Sequence, residues 1–264
     1  MAGNDASTAR YHQHERHQFI IDQARSNSRV EVTTLAEELD VTTETIRRDL
    51  TALERRGFVS RVHGGAIHVD RLGFEPSLEM RSQRLTDEKE RVGLAALAFL
   101  PPGGGSIIID GGTTTMALVR QIPMDAELTV VTNSLPAATY LADRPSVDLH
   151  LIGGRVRSKT HAGVGRWAAD ALSSIAVDVA FMGTNGLSRT HGLTTPDMVE
   201  ADTKRAMIAA SRQVVVLADH TKLGASYLCR FADLRDLDAI VTDTGLDEET
   251  ADEYAGEGPQ VVRA

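Results

Sequence analysis

Six apolar, β-rich segments recur between residues 106 and 243: "SIIIDG", "LTVVTN", "VDLHLIGG", "VDVAFMG", "QVVVLAD" and "LDAIVTD". Among them lie segments with helical spacing, expected near 86 to 99, 114 to 121, 135 to 142, 165 to 175, 197 to 211 and 247 to 255. A nearly continuous apolar strand is one buried on both faces, and strands separated by helices pair side by side in one direction. The expected fold class is α/β, with a doubly wound, mostly parallel sheet. A chain of 264 residues also has room for a second, smaller domain.

In such sheets ligands bind beyond the carboxyl ends of the strands, where this chain places its polar, glycine-rich loops. Asp110, Gly111, Gly112, Thr113, Thr114 and Thr115 follow the first strand. Thr132, Asn133 and Ser134 follow the second, Gly153 and Gly154 the third, and Gly183, Asn185 and Gly186 the fourth. Backbone N–H groups at the helix start after Thr113, aided by threonine hydroxyls, suit one phosphate. Lys204 and Lys222 are expected to balance its charge. A single glycine loop is most often a plain turn; four converging loops point to a ligand site.

The first seventy residues read differently. Thr34 and Glu37 have the spacing of a capping box, opening a helix of some six residues that ends near Asp40. Thr42 or Thr43 can cap a second helix, whose Ile46, Leu50 and Leu53 form one apolar stripe. Glu44, Arg47, Arg48, Thr51 and Arg55 fall on the opposite face, and Gly57 stops the helix. An earlier helix over 12 to 26, with Phe19, Ile20 and Ala24 inward, completes a three-helix pack. "FVSRVHGGAIHV" then reads as a hairpin joined at Gly64-Gly65.

Three helices and a hairpin make a winged helix-turn-helix, expected over 10–68, followed by a linker at 69–78 and the α/β domain at 79–264. In that arrangement the second helix of the pair enters the major groove and the wing follows the backbone. The residues expected to meet double-stranded DNA are Thr42, Thr43, Glu44, Thr45, Arg47, Arg48, Arg61, His63 and Gly64. The net charge of −9 would repel DNA, but residues 47 to 61 hold five arginines against Asp49 and Glu54, a local balance of +3. A helical hairpin with a solvated charged face is the plainer alternative; caps, arginine face and glycine wing occurring in order favour DNA.

Residues 35 to 66, "LAEELDVTTETIRRDLTALERRGFVSRVHGGA", closely resemble the N-terminal signature of DeoR-type transcriptional regulators, and the likeness continues almost to the C-terminus. The region from about 75 to 235 resembles the DeoR sensor domain, whose fold is similar to that of ribose-5-phosphate isomerases and CoA transferases. The resemblance implies a repressor of a sugar-catabolism operon that leaves its operator when a phosphorylated sugar binds; a fructose phosphate is the guess it suggests. In the isomerases the strand matching "DVAFM" leads into a loop of acidic residues that serve proton transfer. Here that loop reads Met182-Gly183-Thr184-Asn185-Gly186, and Thr and Asn can only hydrogen-bond. A sensor without catalysis is therefore expected. A sugar-phosphate isomerase using Glu200 or Asp202, and a ligand-free dimerisation domain, are the alternatives.

One recognition helix reads few base pairs, so a homo-oligomer, dimer or tetramer, is expected on paired half-sites. No cofactor and no metal is expected: His12, His14 and His17 share one helix without a second ligand group and read as solvated surface. "GVGRWA" fits a loose dinucleotide fingerprint, but the nearest expected strand ends some ten residues before it. Trp167 reads as packing, and Cys229, the single cysteine, as a small buried hydrophobe. No apolar run approaches the roughly 18 residues of a membrane span, and the polar N-terminus lacks a secretory core, so a cytoplasmic protein is expected.

Overall fold

The computed structural model describes residues 11–27, 29–55, 58–68, 75 and 77–264. Arg56, Gly57, residue 10, and residues 69–74 and 76 of the expected linker lie outside them. The chain divides into two compact units, Met1–Phe74 and Glu75–Ala264; Glu75 and Leu78, both within the stretch read as linker, belong to the second.

The first unit contains α1 (Gln13–Asn27), β1 (Arg29–Glu31), α2 (Val32–Glu38), α3 (Thr43–Arg55), β2 (Val59–Val62) and β3 (Gly65–His68). α3 buries Ile46, Leu50 and Leu53 as their spacing predicts, each contributing about 1.5–3 kcal/mol. Thr42 caps it, its hydroxyl accepting from the Thr45 N–H at 3.2 Å. α1 buries Ile20 and Ala24. Phe19, expected inward with them, is only half-buried and lies beside the Tyr11 ring.

Two local expectations are corrected. The Thr34–Glu37 capping box does not form: α2 starts three residues earlier, at Val32, with Glu31 in place of Thr34 as an N-cap that makes no side-chain bond. Pairing of β1 with β3 delivers the chain there, and the Val32 N–H donates to the Gly64 carbonyl at 2.9 Å. The hairpin also turns through His63-Gly64 rather than Gly64-Gly65, because Val62 pairs with Gly65. Gly64 takes φ +79, while Gly65 is already in the strand.

The second unit runs α4 (Leu78–Ser82), α5 (Thr86–Ala96), β4 (Gly105–Ile109), α6 (Thr113–Gln121), β5 (Leu128–Thr132), α7 (Leu135–Leu141), β6 (Val147–Leu151), β7 (Arg155–Arg157) and β8 (Ala162–Val164). It continues with α8 (Arg166–Leu172), β9 (Val177–Gly183), β10 (Gly186–Ser188), β11 (Gly192–Thr195), α9 (Met198–Ala209), β12 (Ser211–Leu217), β13 (Cys229–Ala232), β14 (Ala239–Thr242), α10 (Glu248–Ala255) and β15 (Gln260–Arg263). Seven strands form a parallel sheet in the order β15-β14-β12-β9-β4-β5-β6.

Alternate residues feed cores on opposite faces: Val179 and Phe181 of β9 join Ile107 and Ile109 on one side, Ala180 and Met182 join Ile108 on the other. That double burial is why the strands are apolar throughout. From β4 the chain steps outward to β5 and β6, then crosses back to β9 and proceeds the other way. The direction reverses between β4 and β9, so the loops leaving these two strands part and open a crevice.

The sequence did not announce β15, the antiparallel hairpin β7-β8 or the small sheet β10-β11-β13. β8 runs directly into Gly165 and α8, so "GVGRWA" does follow a strand. That strand is antiparallel and outside the main sheet, so the βαβ context of a dinucleotide site is still missing. Trp167, expected to pack, is 80% exposed.

Candidate functional site

In the first unit α3 presents Glu44, Arg47, Arg48 and Arg55 to solvent, with Thr42 exposed at its start and Thr43 and Thr45 half-buried. Glu44 lies 3.4 Å from Arg48 and 3.8 Å from Arg47, spacing the two guanidinium groups along one face. Arg61, on β2, donates to the Thr51 hydroxyl at 3.1 Å, and its backbone N–H donates to Glu54 at 2.8 Å, fastening the hairpin to α3. His63 and Gly64 stand exposed at the turn, with the His63 carbonyl accepting from Arg29.

The rear of α3 is pinned. Asp49 accepts from Arg16 at 2.9 and 3.3 Å and lies 2.9 Å from His17 Nε2. Two readings are thereby corrected. Asp49 points into the core and does not offset the arginines on the outer face, and His17 is buried rather than solvated. Among the described residues no group of His, Cys, Asp and Glu could hold a metal ion.

In the second unit Asp110 ties the two diverging loops together. Its carboxylate accepts from the N–H of Gly111 at 2.8 Å and of Gly183 at 3.0 Å, and pairs with the Lys204 ammonium. Lys204 is fully buried, also donates to the Gly183 carbonyl at 2.9 Å, and lies 3.7 Å from Glu200. Its charge is thus matched inside the protein. Burial holds the Glu200 carboxyl above the usual carboxylate range, against the pull of Lys204 and Arg157.

Other predicted residues brace the loops. Thr132 donates to the Ile109 carbonyl at 2.6 Å, and Thr115 to the Asp110 carbonyl at 2.8 Å. Asn133 accepts from the Gly111 N–H and donates to the Gly163 carbonyl, while Ser134 caps α7. Thr114 is buried at the start of α6. Gly153 and Gly154 join β6 to β7, and Gly186 opens β10. Asn185 is buried with its amide 3.5 Å from Glu75.

Between α4, α5, α6 and the start of α7 lies a cavity of about 230 Å³, lined by Gly112, Thr113 and Ser134, by Lys89, Arg120 and His161, by the carboxylates Glu79 and Glu90, and by apolar side chains such as Leu78 and Met116. No side chain caps the N-terminus of α6 there. Its first N–H groups and the positive end of its dipole favour an anion. Of the residues expected at the ligand, Gly112, Thr113 and Ser134 line this space; Asp110, Gly111, Thr114, Thr115, Thr132, Asn133, Gly183 and Lys204 brace the loops behind it, and Gly153, Gly154, Asn185, Gly186 and Lys222 also lie outside its lining.

Residues 84–244 match the family model for the DeoR C terminal sensor domain, and residues 16–71 match that for the DeoR-like helix-turn-helix domain. The chain belongs to the DeoR family. It is similar to the HTH-type transcriptional regulator GlpR of Haloferax volcanii, 35% identical over 94% of this chain and 96% of that one. It also matches an uncharacterized HTH-type transcriptional regulator, FruR, of Bacillus subtilis, 35% identical over 91% and 94% of the two chains. To the HTH-type transcriptional repressor GlcR of the same species it is 33% identical over 88% and 89%. The DeoR family is one of DNA-binding transcriptional regulators rather than of enzymes. Among solved structures, ribose 5-phosphate isomerase A from Methanocaldococcus jannaschii aligns with a TM-score of 0.39 and 18% identity over 52% of this chain and 54% of that one.

Among the charged residues of this DeoR-family sensor that went unread in the sequence are the buried Lys89 and Glu75, and Arg157, whose side chain is 10% exposed. Lys89 was legible in principle, since it shares one face of α5 with the buried Val92, Gly93 and Ala96, where a solvated lysine does not belong. Its ammonium donates to the carbonyls of Arg81 and Arg84. Burial lowers its pKa to about 8, with Asp219 opposing and Lys222, Arg84 and Arg81 reinforcing. Lys222, in the 3-10 turn His220–Lys222, is thus electrostatically coupled to the cavity wall without lining it.

Proposed function

We propose that the chain is a cytoplasmic repressor of a sugar-catabolism operon, released from its operator when a phosphorylated sugar enters the cavity at the start of α6. The uncapped helix terminus facing that cavity, with Gly112 and Thr113 at its lip and Lys89 in its wall, is the observation that carries this reading. The phosphate sits against the first turn of α6, and Lys89 in the cavity wall, with Lys222 near enough to act on Lys89, supplies positive potential there. The relatives support it: one is named a repressor, and others are regulators whose match spans nearly the whole chain.

α3 enters the major groove, with Thr42, Thr43, Glu44, Thr45, Arg47 and Arg48 toward the bases and phosphates, while Arg61, His63 and Gly64 follow the flanking backbone. A dimer or larger assembly reads paired half-sites. The effector binds more tightly to an arrangement of subunits whose recognition helices no longer match that spacing, and this difference in affinity is the whole of the coupling.

The test is release of the full chain from its own promoter DNA on titration with phosphorylated sugars, a fructose phosphate first. Lys222→Ala should bind the operator normally and fail to respond. Retention on DNA with every sugar phosphate tried, together with no rise in thermal stability, overturns the effector site.

A further inference from the structure

We infer that the outer face of α8 is the contact between two copies of this chain, related by a two-fold axis. The inference rests on the reading above that an assembly recognises paired half-sites, and it names the surface that forms it. α8 buries Ala168 and Leu172 and turns Arg166, Trp167, Asp170 and Ala171 outward. Trp167 is 80% exposed, the most exposed large apolar side chain among the described residues. Met198, 67% exposed, opens α9, which packs beside α8.

The charges on this face select the occupant. Arg166 and Asp170 stand one turn apart, 3.4 Å from each other, with side chains 89% and 66% exposed. A helix with one positive and one negative group spaced by a turn complements itself when a second copy runs antiparallel. Arg166 of each copy then meets Asp170 of the other, and the two-fold axis passes level with Ala168. In that register each Trp167 falls about 3 Å along the axis from the second copy's Trp167 on one side and its Ala171 on the other. Ala171 is small enough to leave room for the indole. The contact is isologous, so it closes at two copies and does not propagate into a filament. A nucleic acid or an acidic segment has no preference for a face whose charges cancel.

Trp167 is the only tryptophan in the chain, so emission excited beyond the tyrosine absorption band reports on this face alone. The experiment is sedimentation of the full chain over a dilution series, with emission and iodide quenching read on the same samples. Dissociation should shift the emission to longer wavelength and expose it to iodide. Trp167→Ala and Arg166→Asp should each weaken self-association by at least about tenfold. Arg166→Asp combined with Asp170→Arg should restore it to within about threefold. All substituted positions are exposed, and far-ultraviolet circular dichroism checks that the variants are folded. Self-association that survives Trp167→Ala, emission that does not move when the copies separate, or a double variant as weak as the single one overturns the α8 assignment alone. A chain that is monomeric at every concentration, and on its operator, overturns the assembly reading with it.

Discussion

Glu75, the first residue of the sensor unit, accepts a hydrogen bond from Arg157 at 2.7 Å across 82 positions of sequence, and both side chains are almost fully buried. Arg157 also contacts Glu200 and lies 3.3 Å from Asp197, so one guanidinium group serves three carboxylates. Removing it leaves buried negative charge without its main partner. Arg157→Met should therefore cost about 3–5 kcal/mol, read as a lower urea midpoint. The sign of its pH dependence follows from Glu200, whose folded pKa already lies above the ordinary value because of burial. A carboxyl with a raised folded pKa favours the folded state below its unfolded pKa and loses that contribution as pH rises through the folded one. Losing Arg157 raises it further. The deficit should be largest where Glu200 is ionised and shrink as the pH falls through its raised pKa; a deficit independent of pH would remove Glu200 from the explanation.

If a sugar phosphate binds at α6 as proposed, Lys89 gives that binding its own pH signature. With a pKa near 8, its ammonium is charged at neutral pH, and a phosphate at α6 stabilises that charged form. Burial sets it first, by lowering it; among the charged neighbours Asp219 raises the pKa, and Lys222, Arg84 and Arg81 lower it further. Affinity for a sugar phosphate should stay level from about pH 7 to 8 and then fall by up to about tenfold per unit, because each binding event above the pKa must take up a proton. Lys89→Met should bind more weakly at pH 7 and lose the alkaline fall. Calorimetric titration in buffers of different ionisation enthalpy measures both; a wild-type profile as flat as the variant's would place Lys89 away from the ligand.

Arg48 projects from α3 with an 80% exposed side chain, and among the described residues it pairs with Glu44 at 3.4 Å. Exposed pairs of this kind contribute little to folding, so its loss should be felt on DNA and not in stability. Arg48→Ala should weaken operator binding by about 1–3 kcal/mol if it reads a base. If it meets a phosphate, binding should weaken across all sequences and the salt slope should fall by about one. Fluorescence anisotropy at several salt concentrations separates the two, and effector affinity should not change in either case.

The sequence was most informative where one element is long enough to show its period. The stripe Ile46, Leu50, Leu53 and the apolar strands around Ile108, Val130, Ala180 and Val216 declare their burial without knowledge of their neighbours. β1, β7, β8 and β10 have only three residues each, too few for alternation to be seen, and β13 pairs with β11 some 35 positions away. Charge was less legible than pattern. That Lys204 is neutralised by Asp110 depends on residues 94 positions apart meeting at the crevice between β4 and β9. Asp49 entered the sequence reading only as a charge set against the arginines; it lies three positions after Ile46 and four before Leu53, on the buried side, and its partners Arg16 and His17 come from another helix.

The paired glycines of the wing separate two physical demands that one dipeptide conceals. Gly64 turns the hairpin with φ +79, and a Cβ there would meet open space. Gly64→Ala should therefore cost only the left-handed backbone penalty, about 1 kcal/mol, and leave a folded wing. Gly65 pairs with Glu31 of β1 as well as with Val62 of β2, and a Cβ on it would lie 1.9 Å from the Val30 carbonyl oxygen. No rotamer relieves that overlap, because both parties are backbone. β1 must separate from β3, and with it goes the Val32 N–H bond to the Gly64 carbonyl that sets the start of α2. Gly65→Ala should accordingly lower the unfolding midpoint of the winged-helix unit well beyond Gly64→Ala and abolish operator binding, while effector affinity of the sensor persists. Equal stability of the two variants would mean that β1 is not a working part of the wing.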